Sequence, residues 1–306
     1  MRTVTLPPKF LERLEKQFGS SGMKNIVSAF GEKRRPTFRA NTLKTTDEEV
    51  MAVLREENIA FERVKNIPHA FRIKNRTDRE LLEHQLCTSG KIYLQGIASM
   101  LPPLILDPKP GETVLDLCAA PGSKTSQMAA LMKNSGRLVA CDDNSVRFQK
   151  LENTLKIQGA TFVETKEIDA SLLRKELPAT FDKILTDVPC SAEGRISTSD
   201  PRSFSFWNKK NIIAHAKLQR RLLRSAAVCL KPGGTLVYST CTLAPEEDEQ
   251  MIEWLLQEFP ELKAVAFELP VSTIRKGTNN TIYVLPSKEY EGLFVAKVVK
   301  RSDLVK

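Results

Sequence analysis

Two cysteines carry the first chemical signal in this sequence. Cys190 sits in DVPCSAEG (187–194), and Cys241 in STCT (239–242). Each follows an apolar run, FDKILTDV (181–188) or GGTLVYST (233–240), of the kind that makes a buried parallel strand. An ionised thiol is a strong nucleophile, and a thiol can also give or take a proton. Asp187 adds a carboxylate beside Cys190. A third segment, AAPGSKT (119–125), follows the run VLDLC (114–118). Gly122 lets backbone come close to a ligand there, and the start of the next helix offers free N–H groups. Neither GxGxxG nor GxxxxGK[ST] occurs, so a dinucleotide fingerprint and a Walker loop are excluded. Taken singly, a buried cysteine is more often packing than catalysis. Two of them after adjacent strands, one preceded by Asp-x-Pro, change that balance.

The elements that must position these residues can be read from the pattern. From about residue 111 the chain repeats strand, loop, helix. VLDLC (114–118), RLVACD (137–142), TFVETKEID (161–169), FDKILTDV and GGTLVYST are the successive strands. Helices are predicted at 145–157, at 208–229 with Asn208 as cap, and at 246–258 after Pro245, with acids in its first turn. Strands near 263–268, 281–285 and 293–299 complete the sheet. Alternation of this kind predicts an α/β fold with a doubly wound, mostly parallel sheet. Ligands bind such a sheet at the carboxyl ends of its strands, where all three chemical segments lie. Asp142 ends the second strand, where an acid can accept both hydroxyls of an adenosine ribose. Its neighbour Asp143 falls a step too far. Asp169 ends the third strand and comes near an adenine by topology alone.

Ahead of this lies a smaller region, over roughly 1–90. A helix is predicted over 10–34, with Leu11, Leu14, Phe18, Ile26 and Phe30 as apolar contacts. FRAN (38–41) reads as a strand, 46–56 as a helix with acids in its first turn, and 59–64 and 70–73 as strands. The region is rich in Lys and Arg, which favours a face toward RNA over mere padding. Residues 91–306 form the second, catalytic region.

Lys and Arg number 46 and Asp and Glu 37, a net charge of +9, which suits a polyanionic partner such as a nucleic acid. A hydrophobic share of 41% supports a packed core and excludes a disordered chain. The N-terminus lacks a signal-peptide core, and no stretch nears the roughly 20 apolar residues of a membrane span, so a cytoplasmic protein is expected. The six cysteines, Cys87, Cys118, Cys141, Cys190, Cys229 and Cys241, include no Cys-x-x-Cys, and no metal site is expected. Cys87, Cys141 and Cys229 read as structural. His69, His84 and His215 are isolated, and Phe204 and Trp207 suit core packing better than base stacking.

LDLCAAPGSKT, DVPCS and YSTCT, in this order, resemble the RsmB/NSUN-type family of RNA cytosine-5 methyltransferases. The likeness runs from about residue 90 to 300. YLQGIASMLPP (93–103) is similar to the family's lead-in segment, and FRANTLKTT (38–46) to the start of its N-terminal RNA-binding region. The resemblance implies a seven-stranded Rossmann-like methyltransferase sheet and S-adenosylmethionine as cofactor. It implies that Cys118, Ala119, Ala120, Pro121, Gly122, Ser123 and Lys124 hold the methionine part, Asp142 the ribose with Arg147 assisting, and Asp169 the adenine. Asp187 would face both the target base and the methyl group. Cys241 matches the nucleophile, and Cys190 the residue that frees the product. The family's usual loop has Gly where this chain has Ser123, and a polar residue where it has Gly96.

The chemistry explains the residue types. Carbon 5 of cytosine is a poor nucleophile until a thiolate adds to carbon 6. The expected partner is RNA, tRNA or rRNA, met by a monomer without membrane or metal. No further RNA-binding domain is expected after the last strand to guide that choice. Amino-group methylation of a base is disfavoured, because Asp-Val-Pro-Cys stands where that chemistry uses Asn/Asp-Pro-Pro-Tyr/Phe. A non-catalytic RNA-binding or ribosome-assembly factor that retains the fold is the competing class. Intact Cys241, Cys190 and Asp187 argue against it.

Overall fold

A computed structural model describes residues 6–302. The first five and last four residues, and with them the outer ends of both predicted regions and part of the N-terminal segment read as lacking a signal peptide, lie outside the described residues. The chain opens with α1 (Pro8–Ala29), which starts on a proline at its first turn and is broken at Gly19, whose φ is 72°. It stops short of the predicted 34, and the chain then runs through Pro36 into β1 (Thr37–Ala40). Next come α2 (Asp47–Glu56), β2 (Phe61–Arg63), β3 (Ala70–Ile73), α3 (Asp78–Glu83), α4 (Gln85–Thr88) and β4 (Ile92–Leu94). Both α2 and α3 begin at a Thr–Glu capping box, at Thr46 and Glu49 and at Thr77 and Glu80, which satisfies orphan N–H groups reciprocally. The four strands form an antiparallel sheet in the order β2-β3-β1-β4. Its last strand therefore lies beyond residue 90, where the sequence pattern placed the division.

The second sheet follows. Its elements are α5 (Ile97–Leu106), β5 (Thr113–Asp116), α6 (Ser123–Leu131), β6 (Arg137–Asp142), α7 (Ser145–Gln158), β7 (Val163–Glu167), β8 (Phe181–Asp187), α8 (Lys209–Cys229), β9 (Leu230–Thr240), α9 (Glu249–Glu258), β10 (Leu262–Ala264), β11 (Ile274–Lys276), β12 (Ile282–Val284) and β13 (Leu293–Lys300). The sheet order is β11-β12-β13-β9-β8-β5-β6-β7, with β10 on β13. The five strands from β7 to β9 are parallel, and β10 to β13 pair antiparallel. β10 is the strand expected near 263–268 and β11 was not expected from the pattern, so among the described residues the sheet has nine strands where the resemblance implied seven. The order reverses between β5 and β8, which sets the ligand crevice at their carboxyl ends.

Strand alternation splits the core. Leu115, Val139, Ile184, Leu236 and Tyr238 turn to one face, against α1, α8 and α9. Val114, Leu138, Ala140, Leu185 and Val237 turn to the other, against α5, α6 and α7. The first helix thus packs on the second sheet: Phe10, Leu14, Ile26 and Phe30 are each about 1% exposed within that core. Phe204 is buried there too, and Trp207 packs on Phe10 at 5.4 Å between ring centroids, as core residues.

One predicted boundary moves with consequence. Helix α9 begins at Glu249, three residues after the expected 246. Glu247 and Asp248 are fully buried, and their carboxylates serve neighbouring loops instead of the helix dipole.

Two buried polar side chains lock the two sheets together. Arg39, from β1, donates to Gln95 Oε1 at 3.1 Å and to Ser126 Oγ of α6 at 2.7 Å. Burial pulls its guanidinium down to about 10. Asn41 donates to the carbonyls of Gly90 and Gln158, each at 2.8 Å. At Gly90, φ is +75° and an added Cβ would meet the Ile157 carbonyl oxygen at 2.0 Å, so the backbones touch. Asn41→Ala removes both donors from a fully buried site and leaves two carbonyls unpaired. It should cost about 2–4 kcal/mol, roughly 1–3 per unsatisfied group after relaxation. A melting temperature within one degree of the parent protein would contradict this locking role.

Candidate active site

The site is built where β5, β6, β8 and β9 end. In the parallel pair β8–β9, Asp187 faces Ser239 and the strands stop together. Val188 N then donates to Ser239 O. This registry carries Cys190 and Cys241 to one place. Their sulfurs lie 3.2 Å apart, and Cys241 N points at Cys190 Sγ at 3.3 Å. The loops are tied again by Ser191 Oγ with Thr242 Oγ1 at 2.7 Å and by Gly194 N donating to Cys241 O. Gly194 also meets Gly292 so closely that a Cβ on either would fall within 2.7 Å of the other's Cα.

A cavity of about 460 Å³ opens beside Cys241, and Cys190 stands behind that thiol rather than in the wall. That size suits a small-molecule site. Cys118, Ala119, Ala120, Pro121, Ser123, Lys124, Arg147, Asp187 and Cys241 all line it. Gly122, with φ +104°, caps α6 and shapes the turn from beneath. The structure therefore gathers the segments at 118–124, 187 and 241, as their strand-end positions predicted. A smaller recess adjoins, bounded by Cys118, Asp142, Asp143, Arg147 and Asp169. Asp142 is 4% exposed and accepts from Ala120 N, Asn144 N and the Arg147 guanidinium, the last at 3.2 Å. Asp169 caps a short 3-10 turn through Ser171 N and pairs with Arg221 at 2.6 Å. Burial opposes its charge, yet these bonds win and hold its carboxyl below the usual range.

Charges around the thiols are unequal. Lys124 pairs with Asp187 at 2.7 Å and donates to Ser99 Oγ at 3.0 Å. Burial works against the Lys124 cation, but Asp187 outweighs it and the net shift is upward. Asp187 also accepts from Ser239 Oγ at 2.7 Å. The Cys241 thiol is pulled down, first by the hydrogen bond from Cys190 and then by Arg195 and Lys124. Cys190 is driven up by the same bond and by burial. The pair thus favours a thiolate at Cys241 and a proton on Cys190. Burial also drives Cys118 up, in keeping with a thiol that serves as wall.

Sequence reasoning missed several lining residues. Asp116 is 1% exposed; Thr125 donates to one of its oxygens at 2.7 Å and the other, Oδ1, has no partner. It stands inside the quoted LDLC run, where a strand-end acid was a usable signal. Arg195 reaches the cavity from the loop after Cys190 and pairs with Glu291 at 3.4 Å. Glu291 and Gly292 arrive from the far end of the chain, and no local pattern marks them. Among the described residues no cluster of His, Cys, Asp or Glu could hold a metal ion, and no helix is long and apolar enough to cross a membrane.

Burial pushes Asp116, Glu193 and Glu247 each up to about 7. In the unfolded chain such groups titrate near 4. Between about pH 5 and 7 the folded state therefore binds more protons, so these groups stabilise it at low pH and progressively less as pH rises. Ion-paired acids with lowered pKa, such as Glu62, Glu164 and Asp182, act in the opposite sense, but only below about pH 4.5. The melting temperature should fall from pH 5 to 7.5; a flat or rising profile over that window would refute the assignment of these buried carboxyls.

Comparison with known proteins places this geometry. Residues 103–299 match the family model described as "16S rRNA methyltransferase RsmB/F". Residues 6–96 match the "N-terminal domain of 16S rRNA methyltransferase RsmF". Ribosomal RNA small subunit methyltransferase F of Shewanella loihica is 35% identical over 312 residues, covering 97% of this chain and 63% of that protein. The chain spans just under two thirds of the length of such relatives. A tRNA (cytosine(49)-C(5))-methyltransferase of Pyrococcus abyssi is 37% identical over 287 residues, 87% of this chain and 88% of the relative. The crystal structure of a methyltransferase homolog protein from Pyrococcus horikoshii superposes with a TM-score of 0.80 at 31% identity, covering 96% of this chain and all of that one. Two domain models in sequence, matching nearly the whole described chain, leave one conclusion: the chain belongs to the RsmB/F methyltransferase family.

Proposed function

We propose that this protein transfers a methyl group from S-adenosylmethionine to carbon 5 of cytosine in RNA, through a transient bond between Cys241 and carbon 6. The observation that carries the reading is the contact of the Cys190 and Cys241 sulfurs at 3.2 Å, beside a cavity bounded by the 118–124 turn and Asp187. The named acts of relatives, on ribosomal RNA in one case and on tRNA cytosine in the other, support the substrate class.

The residues present fit the cofactor. Asp116 offers a buried, unpartnered oxygen at the cavity wall, suited to an amino group. The left-handed Gly122 lets backbone approach, and the N-terminus of α6 suits a carboxylate. Asp142 at the end of β6 suits the ribose hydroxyls once Arg147 yields one of its contacts, and Asp169 bounds the recess for the adenine. When bound, the cofactor supplies an electrophilic methyl on a sulfonium.

The chain's own residues do the rest. Cys241 as thiolate adds to carbon 6; the C–S bond forms and the 5,6 double bond opens toward carbon 5. Negative charge grows at ring nitrogen 3, and Asp187, held by Lys124 and Ser239, steadies it by donating a hydrogen bond there in its protonated form. After methylation, Cys190 gives its own proton to water and, as thiolate, takes the proton from carbon 5; the double bond re-forms, and the Cys241 sulfur leaves as thiolate. The base must leave any stack to reach this pocket. The basic N-terminal region, over about 1–90, holds RNA in this reading, and 91–306 does the chemistry. The protein acts as a cytoplasmic monomer.

Incubation with labelled S-adenosylmethionine and bulk tRNA or rRNA should place the label on 5-methylcytidine. Label on another nucleoside ends the reading, and no label at all favours a binding factor. Cys241→Ala should lower transfer by at least about 10³-fold while cofactor binding stays near normal. Cys190→Ala should leave protein joined to RNA, seen as a slow band on a denaturing gel; free release of product by that variant would remove its assigned role.

A further inference from the structure

Behind the two thiols lies a pair of side chains that the reaction above does not use. Glu247 and Gln219 are both fully buried. Gln219 Nε2 donates to Pro189 O at 2.9 Å and to Glu247 Oε2 at 2.8 Å. The same Glu247 oxygen accepts from Ser191 N at 3.1 Å. Pro189 and Ser191 are the two neighbours of Cys190, so one clamp grips the peptide on both sides of that thiol. Glu247 is itself fixed: the Tyr238 hydroxyl donates to its carbonyl at 2.6 Å, and Thr240 holds the adjoining Asp248 at 2.7 Å.

The charged groups behind the two thiols differ in sign. Lys124 and Arg195 act on the Cys241 side, with Asp187 opposing them. Glu247 acts on the Cys190 side and makes loss of a proton there harder. Glu246 adds negative charge beside Glu247, the buried acids Glu193 and Asp248 lie close by, and Arg13 partly offsets the charge through its pair with Glu246 at 2.6 Å.

We propose that Glu247, braced by Gln219, is a positioning residue for Cys190: it fixes the loop on both sides of that thiol and puts negative charge behind it. Cys190 is thereby kept as the proton-holding member of the pair, and Cys241 is left as the attacking sulfur. The inference rests on the reading of these cysteines as the reacting pair. The partner oxygens, Glu247 Oε1 and Gln219 Oε1, have no hydrogen-bond partner. No packing role requires a carboxylate there; an amide of the same shape would fill the space.

The test uses thiol reactivity, which needs neither RNA nor methyl transfer. The full chain is treated with limiting iodoacetamide from pH 6 to 9, and labelled cysteines are located by mass spectrometry. The parent protein should react first at Cys241. Glu247→Gln keeps the shape and removes the charge, and its preference for Cys241 over Cys190 should fall about tenfold at pH 8. With RNA and cofactor present, kcat should fall, KM for RNA should hold, and the covalent protein–RNA band should grow. Gln219→Met frees Pro189 O and also removes one hydrogen bond from Glu247, so the band should grow while thiol preference falls less than in Glu247→Gln. An unchanged preference and turnover in Glu247→Gln would overturn the proposal. If melting shows that Glu247→Gln does not fold, Gln219→Met decides: no growth of the band overturns it. Absence of 5-methylcytidine with the parent protein sinks the proposed reaction instead, and leaves the alkylation result standing on its own.

Discussion

The parallel registry of β8 with β9 is the constraint on which the site depends. Side chains alternate along a strand, and paired strands fix which residues stand opposite. Asp187 against Ser239 brings both strands to their ends side by side, and the next few residues of each must turn into the same crevice. The two thiols come into contact because of that backbone ladder, although 51 positions separate them in the chain. A slip of one residue would turn one of the two strands inside out against the core. The apolar faces against α8 and α5 forbid it.

Buried charge is the second organising feature. Asp116, Glu193, Glu247, Asp248 and Arg39 are almost fully withdrawn from water, and Lys124 largely so. Such groups are costly unless paired. Here each has at least one partner, Thr125 for Asp116, the Trp207 indole for Glu193 at 2.6 Å, Thr240 for Asp248 and Asp187 for Lys124, while Asp116 Oδ1, Glu247 Oε1 and Asp248 Oδ2 have none. The arrangement leaves cations near Cys241 and a carboxylate near Cys190. A preformed field of this kind needs no rearrangement when charge moves during a reaction.

The small antiparallel sheet is no loose attachment. Arg39 reaches from β1 into the first turn of α6, beside the 118–124 loop, and Asn41 grips the end of α7. The first helix, meanwhile, packs on the far face of the large sheet. Whatever the N-terminal region holds is therefore held at a set distance from the cavity. Its arginines divide between two tasks, since Arg39 turns wholly inward while others remain at the surface.

The sequence by itself determined much of this protein. Apolar runs of strand length, strand-to-helix turns and the order of the motifs were enough to place β5 to β9, the 118–124 turn and both thiols. Those signals are local: period-two burial, a glycine at a left-handed φ, a capping Asn208. Tertiary structure alone decided the rest. Helix α5, with Pro102 and Pro103 inside it, and the short strands β4 and β11 carry too little local pattern to be read. The acids at 246–248 look like first-turn residues of a helix, and only their partners across the fold, Ser191 and Gln219 for Glu247 and Thr240 for Asp248, turn these two inward. Arg195, Glu291 and Gln219 come to the site from separate stretches of chain. Their roles depend on distances across the fold, and a linear sequence records order, not distance.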